Sequence, residues 1–236
     1  MAYTERIDGR AFDEPRPMEA KSGVIKNADG SGWFKIGKTE AYAAVYGPRD
    51  LYPKFLQDPS CGTLRCFYNM MPFSGTGDRV RPGQNRRAKE ISMVTEKALL
   101  PVLDLSEFPN SVIDVFIELP QTDAGSRCAG ICAAAIALAD AGIPMKDMVS
   151  AVAVGAIGKQ TIVDPSYAEE AYEGDAVADI PIAVVNNTKE ITLLQMDGEI
   201  EPKLLLEAIR KGLEASSKVH DVQIKALKDK YTGDAA

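Results

Sequence analysis

The stretch QTDAGSRCAG occupies residues 121–130 and runs directly into ICAAAIALADAG, which ends at Gly142. It begins polar and small, passes one arginine and becomes alanine-rich. A continuous apolar run of this length, closed by glycine, predicts a buried helix over Cys128–Ala141.

The residues just before this helix support two interpretations. In the structural one, Gly125 allows a tight turn and Asp123 or Ser126 caps the helix. In the chemical one, the free N–H groups of the helix start, the Ser126 hydroxyl and Arg127 form a cradle for phosphate. The stretch taken alone does not separate them.

Strand and helix patterns continue on both sides of this stretch. Helical spacing predicts a helix over about 86–100, which Pro101 ends, and a C-terminal helix over about 202–230. Alternating or apolar runs predict strands at Val24–Asn27, Gly32–Gly37, Glu40–Tyr46, Thr63–Met71, Ser111–Leu119, Val149–Ile157, Gln160–Val163, Ile180–Val185 and Glu190–Met196. Two similar blocks, each with strands followed by a helix, indicate a mixed α/β or α+β fold in a single domain over residues 1–236.

Composition excludes several classes of protein and of site. The chain has 236 residues, 45% of them hydrophobic and 26% charged, as in an ordinary globular protein, and no apolar run long enough to span a bilayer. The N-terminus has no apolar signal core, so a cytoplasmic location is expected. The four cysteines show no CxxC spacing, and His220 is the single histidine, which argues against structural zinc and against a histidine-activated nucleophile. Catalysis would therefore use carboxylates, arginines, a metal or the substrate itself.

A basic cluster lies in residues 79–89, RVRPGQNRRAK. It holds five cations in eleven residues of a chain whose net charge is −7. A solvated loop and helix start would explain it, but cations at a helix N-terminus oppose the macrodipole. Arginine forks match phosphate oxygens, so we favour a phosphate or nucleic-acid site formed by Arg79, Arg81, Arg86, Arg87 and Lys89.

An acidic segment covers residues 164–179, DPSYAEEAYEGDAVAD, between two apolar strands. Such a run is commonly a solvated loop, yet Asp179 directly precedes the strand IPIAVV. Carboxylates near a phosphate site can hold Mg²⁺ or act as a general acid.

Several motifs together resemble the RNase PH family over nearly the whole chain. They are IDGR (7–10), GSGWFKIGKTEAYAAVYGP (30–48), LRCFYNMMPFS (64–74), RRAKEIS (86–92), TDAGSRCAG (122–130), ALADAGIPM (137–145) and ITLLQMDG (191–198). Within that family the chain looks most like the catalytic subunits of archaeal exosome rings.

The resemblance implies a fold, a reaction and partners. The fold would be a duplicated β-α core with mixed sheets, like domain 2 of ribosomal protein S5. The reaction would be 3′→5′ phosphorolysis of single-stranded RNA, with inorganic phosphate as co-substrate, nucleoside diphosphates as products and reversal as RNA tailing. The partners would be a homologous non-catalytic subunit in a hexameric ring and RNA-binding cap proteins.

The resemblance also assigns roles to particular residues. Arg87 would grip the attacking phosphate, and Gly125, Ser126 and Arg127 would complete its cradle. The residues implied to hold RNA are Arg86 on the backbone, Arg65 on a phosphate and Tyr68 by stacking on a base.

Asp179 matches the family's catalytic aspartate, as general acid for the leaving 3′ oxygen or as a Mg²⁺ ligand. Its acidic partner is ambiguous because the loop before it is longer than in relatives. Counted forward from Asp164, the family spacing gives Glu170 as the partner; counted back from Asp179, it gives Glu173. Asp175 is a third candidate, and we rank Glu170 first.

Two rival functions stay open at this point. One is a non-catalytic, RNA-binding ring subunit, which would not need the arginine, Gly-Ser-Arg and aspartate set. The other is a stand-alone phosphorolase that trims tRNA 3′ ends. Whether the chain pairs with a homologous ring subunit would distinguish this function from that of an exosome subunit.

Overall fold

The computed structural model describes residues 3–76, 80–81, 83 and 85–232. Its first sheet has the strand order β1-β2-β3-β5-β4, in which β4 and β5 are parallel and the other neighbours are antiparallel. These strands are β1 (Met18–Ser22), β2 (Gly30–Ile36), β3 (Thr39–Asp50), β4 (Thr63–Met70) and β5 (Ser111–Gln121).

The second sheet is antiparallel, with the order β10-β8-β6-β7 and β9 also paired with β8. Its strands are β6 (Val149–Ile157), β7 (Gln160–Val163), β8 (Val177–Val185), β9 (Glu190–Leu194) and β10 (Asp197–Gly198). The helices are α1 (Arg86–Leu99), α2 (Ser126–Asp140), α3 (Tyr167–Glu170) and α4 (Pro202–Thr232).

Helix α2 is the central element, packed against β2 and β3 of the first sheet and β6 of the second. Its alanines allow close approach, and so does Gly32, where an added Cβ would lie 2.4 Å from the Ala133 carbonyl oxygen. One continuous cluster of buried side chains draws on both sheets and on α1, α2 and α4. The start of α2 is therefore fixed by both halves of the molecule.

Most predicted elements are found within a few residues of their expected bounds, and β6 and β7 match them. The strand predicted at Val24–Asn27 is wrong, because the Ile25 N–H donates to the Ser31 hydroxyl in a turn rather than to a neighbouring strand. The edge strand is β1 instead. The acidic segment is only partly a loop, since it contains α3 and delivers Asp179 into β8.

None of the helices within the described ranges has the length and apolar character required to cross a membrane.

Candidate active site

Two adjoining cavities of about 610 and 380 Å³ share Arg87, Arg127, Glu170 and Asp179 in their walls. We call these two cavities together the central cleft. The first turns of α1 and α2 supply the arginines, and the end of α3 and the strand β8 supply the carboxylates. The sequence separates these four residues by up to 92 positions, and the fold brings them to one place.

The start of α2 lines the cleft without a side-chain cap. Ala124 and Gly125 both adopt left-handed backbone angles, with φ of 58° and 62°. Gly125 is the N-cap residue of α2, and no side chain among the described residues makes a capping hydrogen bond there. The expected cap by Asp123 or Ser126 is therefore wrong; the Asp123 carboxylate instead accepts a hydrogen bond from the Tyr167 N–H at 3.2 Å. The first N–H groups of α2 remain available to an anion.

The start of α1 is built differently. The Asn85 side chain caps this helix by accepting a hydrogen bond from the Ala88 N–H at 2.7 Å. Arg86 and Arg87 follow it, are exposed, and form no ion pair with any carboxylate in the described ranges. Arg79 of the predicted basic cluster lies outside the described residues.

Arg127 is held in place by two polar side chains that the sequence interpretation missed. Its guanidinium donates to the Gln195 side-chain oxygen, and the Gln195 amide donates to Glu90 at 3.0 Å. Gln195 belongs to the ITLLQMDG motif (191–198) and lies between β9 and β10. This motif contributed to the family resemblance, but nothing in its spacing indicated that Gln195 contacts Arg127.

The two carboxylates of the cleft have strongly raised pKa values. Burial, and then the charge of Asp179, raises the pKa of Glu170 to about 7. Burial raises the pKa of Asp179 to about 6, although the positive charge of the nearby Arg127 opposes this rise. The buried Oδ1 of Asp179 has no hydrogen-bond partner among the described residues. This pair of carboxylates therefore gains and loses protons close to neutral pH.

A third carboxylate, Asp197, also lines the cleft and was not predicted. It lies directly opposite Asp179 in the pairing of β10 with β8, and its charge raises the pKa of Asp179. Only the strand pairing reveals this neighbour, because 18 positions separate the two residues.

The other two candidates for the partner of Asp179 do not line the cleft. Asp175 lies in a larger cavity of about 870 Å³, together with Lys159 and Glu199. Glu173 is exposed in the loop after α3. The structure therefore brings Glu170 to Asp179 and leaves Asp175 and Glu173 outside.

Arg65 and Tyr68 lie on opposite faces of β4, because residues three apart on a strand point to opposite sides. Arg65 forms a two-point ion pair with Asp114, at 2.7 and 2.9 Å, on the face away from the core. It lines neither cavity of the cleft, so the structure does not support the predicted phosphate contact.

Tyr68 points inward and is only 3% exposed. Its ring packs near Gly130, and burial raises its pKa to about 12. It reaches the wall of a cavity shared with Arg86 and Arg87, but its buried ring does not present an open face for the base stacking that the family resemblance implies.

Comparison with known proteins places this geometry in a family. Residues 14–144 match the model of the 3′ exoribonuclease family, domain 1, and residues 147–215 match domain 2. The chain is 49% identical over 227 residues to the exosome complex component Rrp41 of Thermococcus kodakarensis, covering 96% of this chain and 90% of the relative. It is 45% identical over 229 residues to Rrp41 of Methanopyrus kandleri, covering 97% and 94%.

A solved structure shares the fold. The chain superposes with a TM-score of 0.77 and 25% identity on a chain of the Archaeoglobus fulgidus exosome with RNA bound to the active site, covering 92% of each.

Proposed function

The chain belongs to the RNase PH family of 3′ exoribonucleases, and from this membership we propose that it degrades single-stranded RNA by phosphorolysis. The observation that carries the proposal is the composition of the central cleft. Two arginines and an uncapped helix start face carboxylates with raised pKa values. A phosphate anion and a proton donor are the two things that phosphorolysis requires.

The basic side of the cleft would hold the attacking phosphate. Arg87 and Arg127 present planar guanidinium forks that match phosphate oxygens. The first N–H groups of α2 and the Ser126 hydroxyl offer further hydrogen bonds. These donors neutralise the negative charge that otherwise repels an incoming phosphate from the RNA backbone.

The acidic side would handle the leaving group. A phosphate oxygen attacks the phosphorus of the last phosphodiester, and the bond to the 3′ oxygen of the preceding nucleotide breaks. Asp179 donates a proton to that oxygen, since burial and the charge of Asp197 keep its pKa raised, and Glu170 is the neighbouring carboxylate. The products are a nucleoside diphosphate and an RNA one nucleotide shorter with a free 3′ hydroxyl, and reversal extends the RNA.

The RNA itself would be held beside this pair of reacting groups. Arg86 is exposed next to Arg87 and is the cation best placed for the RNA backbone. We assign no role in RNA binding to Arg65, since it is paired with Asp114.

The cleft also fits a Mg²⁺ ion that is partly coordinated by substrate. The described residues contain no group of three or more His, Cys, Asp or Glu placed to hold a metal. Mg²⁺ commonly needs only one or two carboxylates and takes its other ligands from phosphates and water. If Asp179 acts as a metal ligand instead of as the acid, its Oδ1, which has no hydrogen-bond partner among the described residues, and Asp197 opposite it would hold the ion. When bound, the ion would neutralise phosphate charge in the cleft.

We further propose that the chain works inside an exosome ring. Its close relatives carry the name of an exosome component. The expected partners are a homologous non-catalytic RNase PH-like subunit in a hexameric ring and RNA-binding cap proteins. In such a ring the subunit would process single-stranded RNA that enters with its 3′ end first.

Product analysis tests the proposal. The purified chain, alone and with its ring partner, is incubated with 3′-end-labelled single-stranded RNA with and without inorganic phosphate. Nucleoside diphosphates that appear only with phosphate support phosphorolysis. Nucleoside monophosphates, or degradation that ignores phosphate, would overturn it, and inactivity of the assembled ring would favour a structural subunit.

A further inference from the structure

Arg16 is a buried arginine that lies outside the central cleft and was not selected by sequence. It precedes β1, and its side chain is 6% exposed. Its backbone N–H and its Nε both donate to Asp164 Oδ2 at 2.8 Å, and its Nη2 donates to Asp164 Oδ1 at 2.7 Å. The Asp164 side chain, with which it pairs, is 1% exposed.

The same guanidinium reaches a second segment. Its Nη1 donates to the backbone carbonyl of Asp123, the residue before the left-handed pair Ala124 and Gly125. The Thr39 hydroxyl holds the same turn from the other side, donating to the Ala124 carbonyl and accepting from the Asp123 N–H, both at 2.8 Å. The turn that starts α2 is thus held by Arg16 and Thr39.

Asp164 belongs to the segment that leads into α3 on the acidic side of the cleft. It directly follows β7, has a left-handed φ of 51°, and stands three residues before the first residue of α3, which ends at Glu170. The Arg16 side chain therefore connects the turn before α2, whose start would bind phosphate, with the turn before α3.

We propose that Arg16 is a positioning residue that sets the separation between the two sides of the central cleft. It touches neither RNA nor phosphate in this proposal. It acts by fixing the uncapped start of α2 relative to Glu170, so that bound phosphate stands at the correct distance from the acidic side of the cleft. The proposal rests on the phosphorolytic function proposed above.

Stability alone does not explain this choice of residue. Removing a guanidinium and a carboxylate from water is costly, and well-packed apolar replacements of buried ion pairs are often equally stable. Arginine has what those replacements lack, a planar fork that can bind a carboxylate and a carbonyl at fixed angles. The chain also makes room for it, because an added Cβ at Gly37 would lie 2.5 Å from the Arg16 Cδ.

The charge of Arg16 supports the same role. Burial and Asp179 raise the pKa of Glu170, and Arg16, Arg87 and Arg127 oppose that rise. Arg16 is thus close enough to the acidic side to affect its protonation, while its own hydrogen bonds end on Asp164 and Asp123.

The test compares Arg16→Lys and the double variant Arg16→Gln/Asp164→Asn with the wild type. Lysine keeps the charge but cannot bridge both turns, and the double variant leaves no buried unpaired charge that would prevent folding. We expect the KM for inorganic phosphate to rise about tenfold or more in both variants, while the Kd for RNA stays within about twofold. A KM for phosphate that stays within about twofold of the wild type in either variant would overturn the proposal.

Gln223→Met is the matched control for loss of stability. Gln223 is a fully buried residue of α4, and its amide donates to the carbonyls of Cys132 and Val149, away from the cleft. The control should lose thermal stability without a change in the KM for phosphate. If it raises that KM as much as the Arg16 variants do, Arg16 has only a structural role.

A separate measurement distinguishes failure of this proposal from failure of the proposed function. Titration calorimetry with inorganic phosphate reports binding without turnover. A wild type that binds phosphate but never phosphorolyses RNA would contradict the proposed function alone. Equal phosphate affinity in the wild type and both Arg16 variants would contradict the positioning role alone.

Discussion

The two sides of the central cleft differ in how their charges respond to pH. The basic side consists of the start of α1 with Arg87 and the start of α2 with Gly125, Ser126 and Arg127. Guanidinium groups and backbone N–H groups keep their character at every physiological pH. The acidic side consists of carboxylates whose pKa values are raised close to neutrality. One side is built to hold an anion permanently, and the other is built to exchange a proton.

This difference predicts that substitutions on the two sides will affect different kinetic constants. Changes on the basic side should weaken the binding of phosphate or RNA. Changes on the acidic side should slow the chemical step and leave binding intact.

Asp179→Asn should produce the largest effect. The amide cannot donate a carboxylic-acid proton to the leaving 3′ oxygen, so kcat should fall about 1000-fold with an unchanged Kd for RNA. Single-turnover assays and filter binding measure the two quantities. Asp175→Asn is the matched control, because Asp175 lies in the separate cavity; it should stay within about twofold of the wild-type rate. A near-normal rate in Asp179→Asn would exclude Asp179 as the acid.

Arg127→Gln should produce the second-largest effect, because it removes a phosphate-binding cation from the basic side. A charged hydrogen bond to phosphate contributes about 1.5–3 kcal/mol, which corresponds to a KM for phosphate raised about 10- to 100-fold. Arg127→Lys keeps the charge but loses the fork, so its KM should lie between those of the wild type and Arg127→Gln. Steady-state kinetics over a range of phosphate concentrations measure this. If kcat falls and the KM for phosphate does not change, the division between the two sides is wrong.

Glu170→Gln should change stability in a pH-dependent way. The folded protein binds a proton on Glu170 up to about pH 7, whereas an unfolded chain releases it near its ordinary pKa of about 4.3. The wild type therefore loses stability as pH rises between these values. Glutamine removes that loss, so the variant should gain about 1–3 kcal/mol relative to the wild type at pH 8 and nothing at pH 4. Urea unfolding at both pH values measures the difference, and a difference that is constant with pH would contradict the buried-acid assignment.

Arg86→Ala should have the smallest effect. Loss of one phosphate contact should weaken RNA binding about tenfold or less and reduce the slope of log Kd against log salt by about 0.7. The KM for inorganic phosphate should not change. Arg210→Ala, on the exposed face of α4, removes a cation that does not line the cleft and serves as the control. An equal salt slope in Arg86→Ala and the wild type would refute the contact.

Sequence patterns located the parts of the cleft that are local. The anion-binding start of α2 and the cations of α1 were visible as motifs, because a helix start and its first residues are close in sequence. Strand alternation also separates Arg65 from Tyr68, since residues three positions apart on one strand cannot both face one site.

The missed residues act over long distances in the chain. Gln195 reaches Arg127 across 68 positions, Asp197 faces Asp179 through strand pairing, and Arg16 binds Asp164 across 148 positions. No propensity or periodicity reports such contacts, since they depend on how two sheets pack around α2. Family resemblance supplied the roles of Arg87 and Asp179 and ranked Glu170 first among three carboxylates. The fold shows which of those three lies beside Asp179.

The bond between Arg16 and Asp164 also bears on how the protein is made. During synthesis, Arg16 leaves the ribosome long before Asp164 exists, so the first sheet can form while its arginine still lacks a partner. Contacts of such high sequence separation form late. A nascent chain would therefore form its first sheet before its cleft, and incomplete subunits would be poor nucleases while the RNA being translated is still close by.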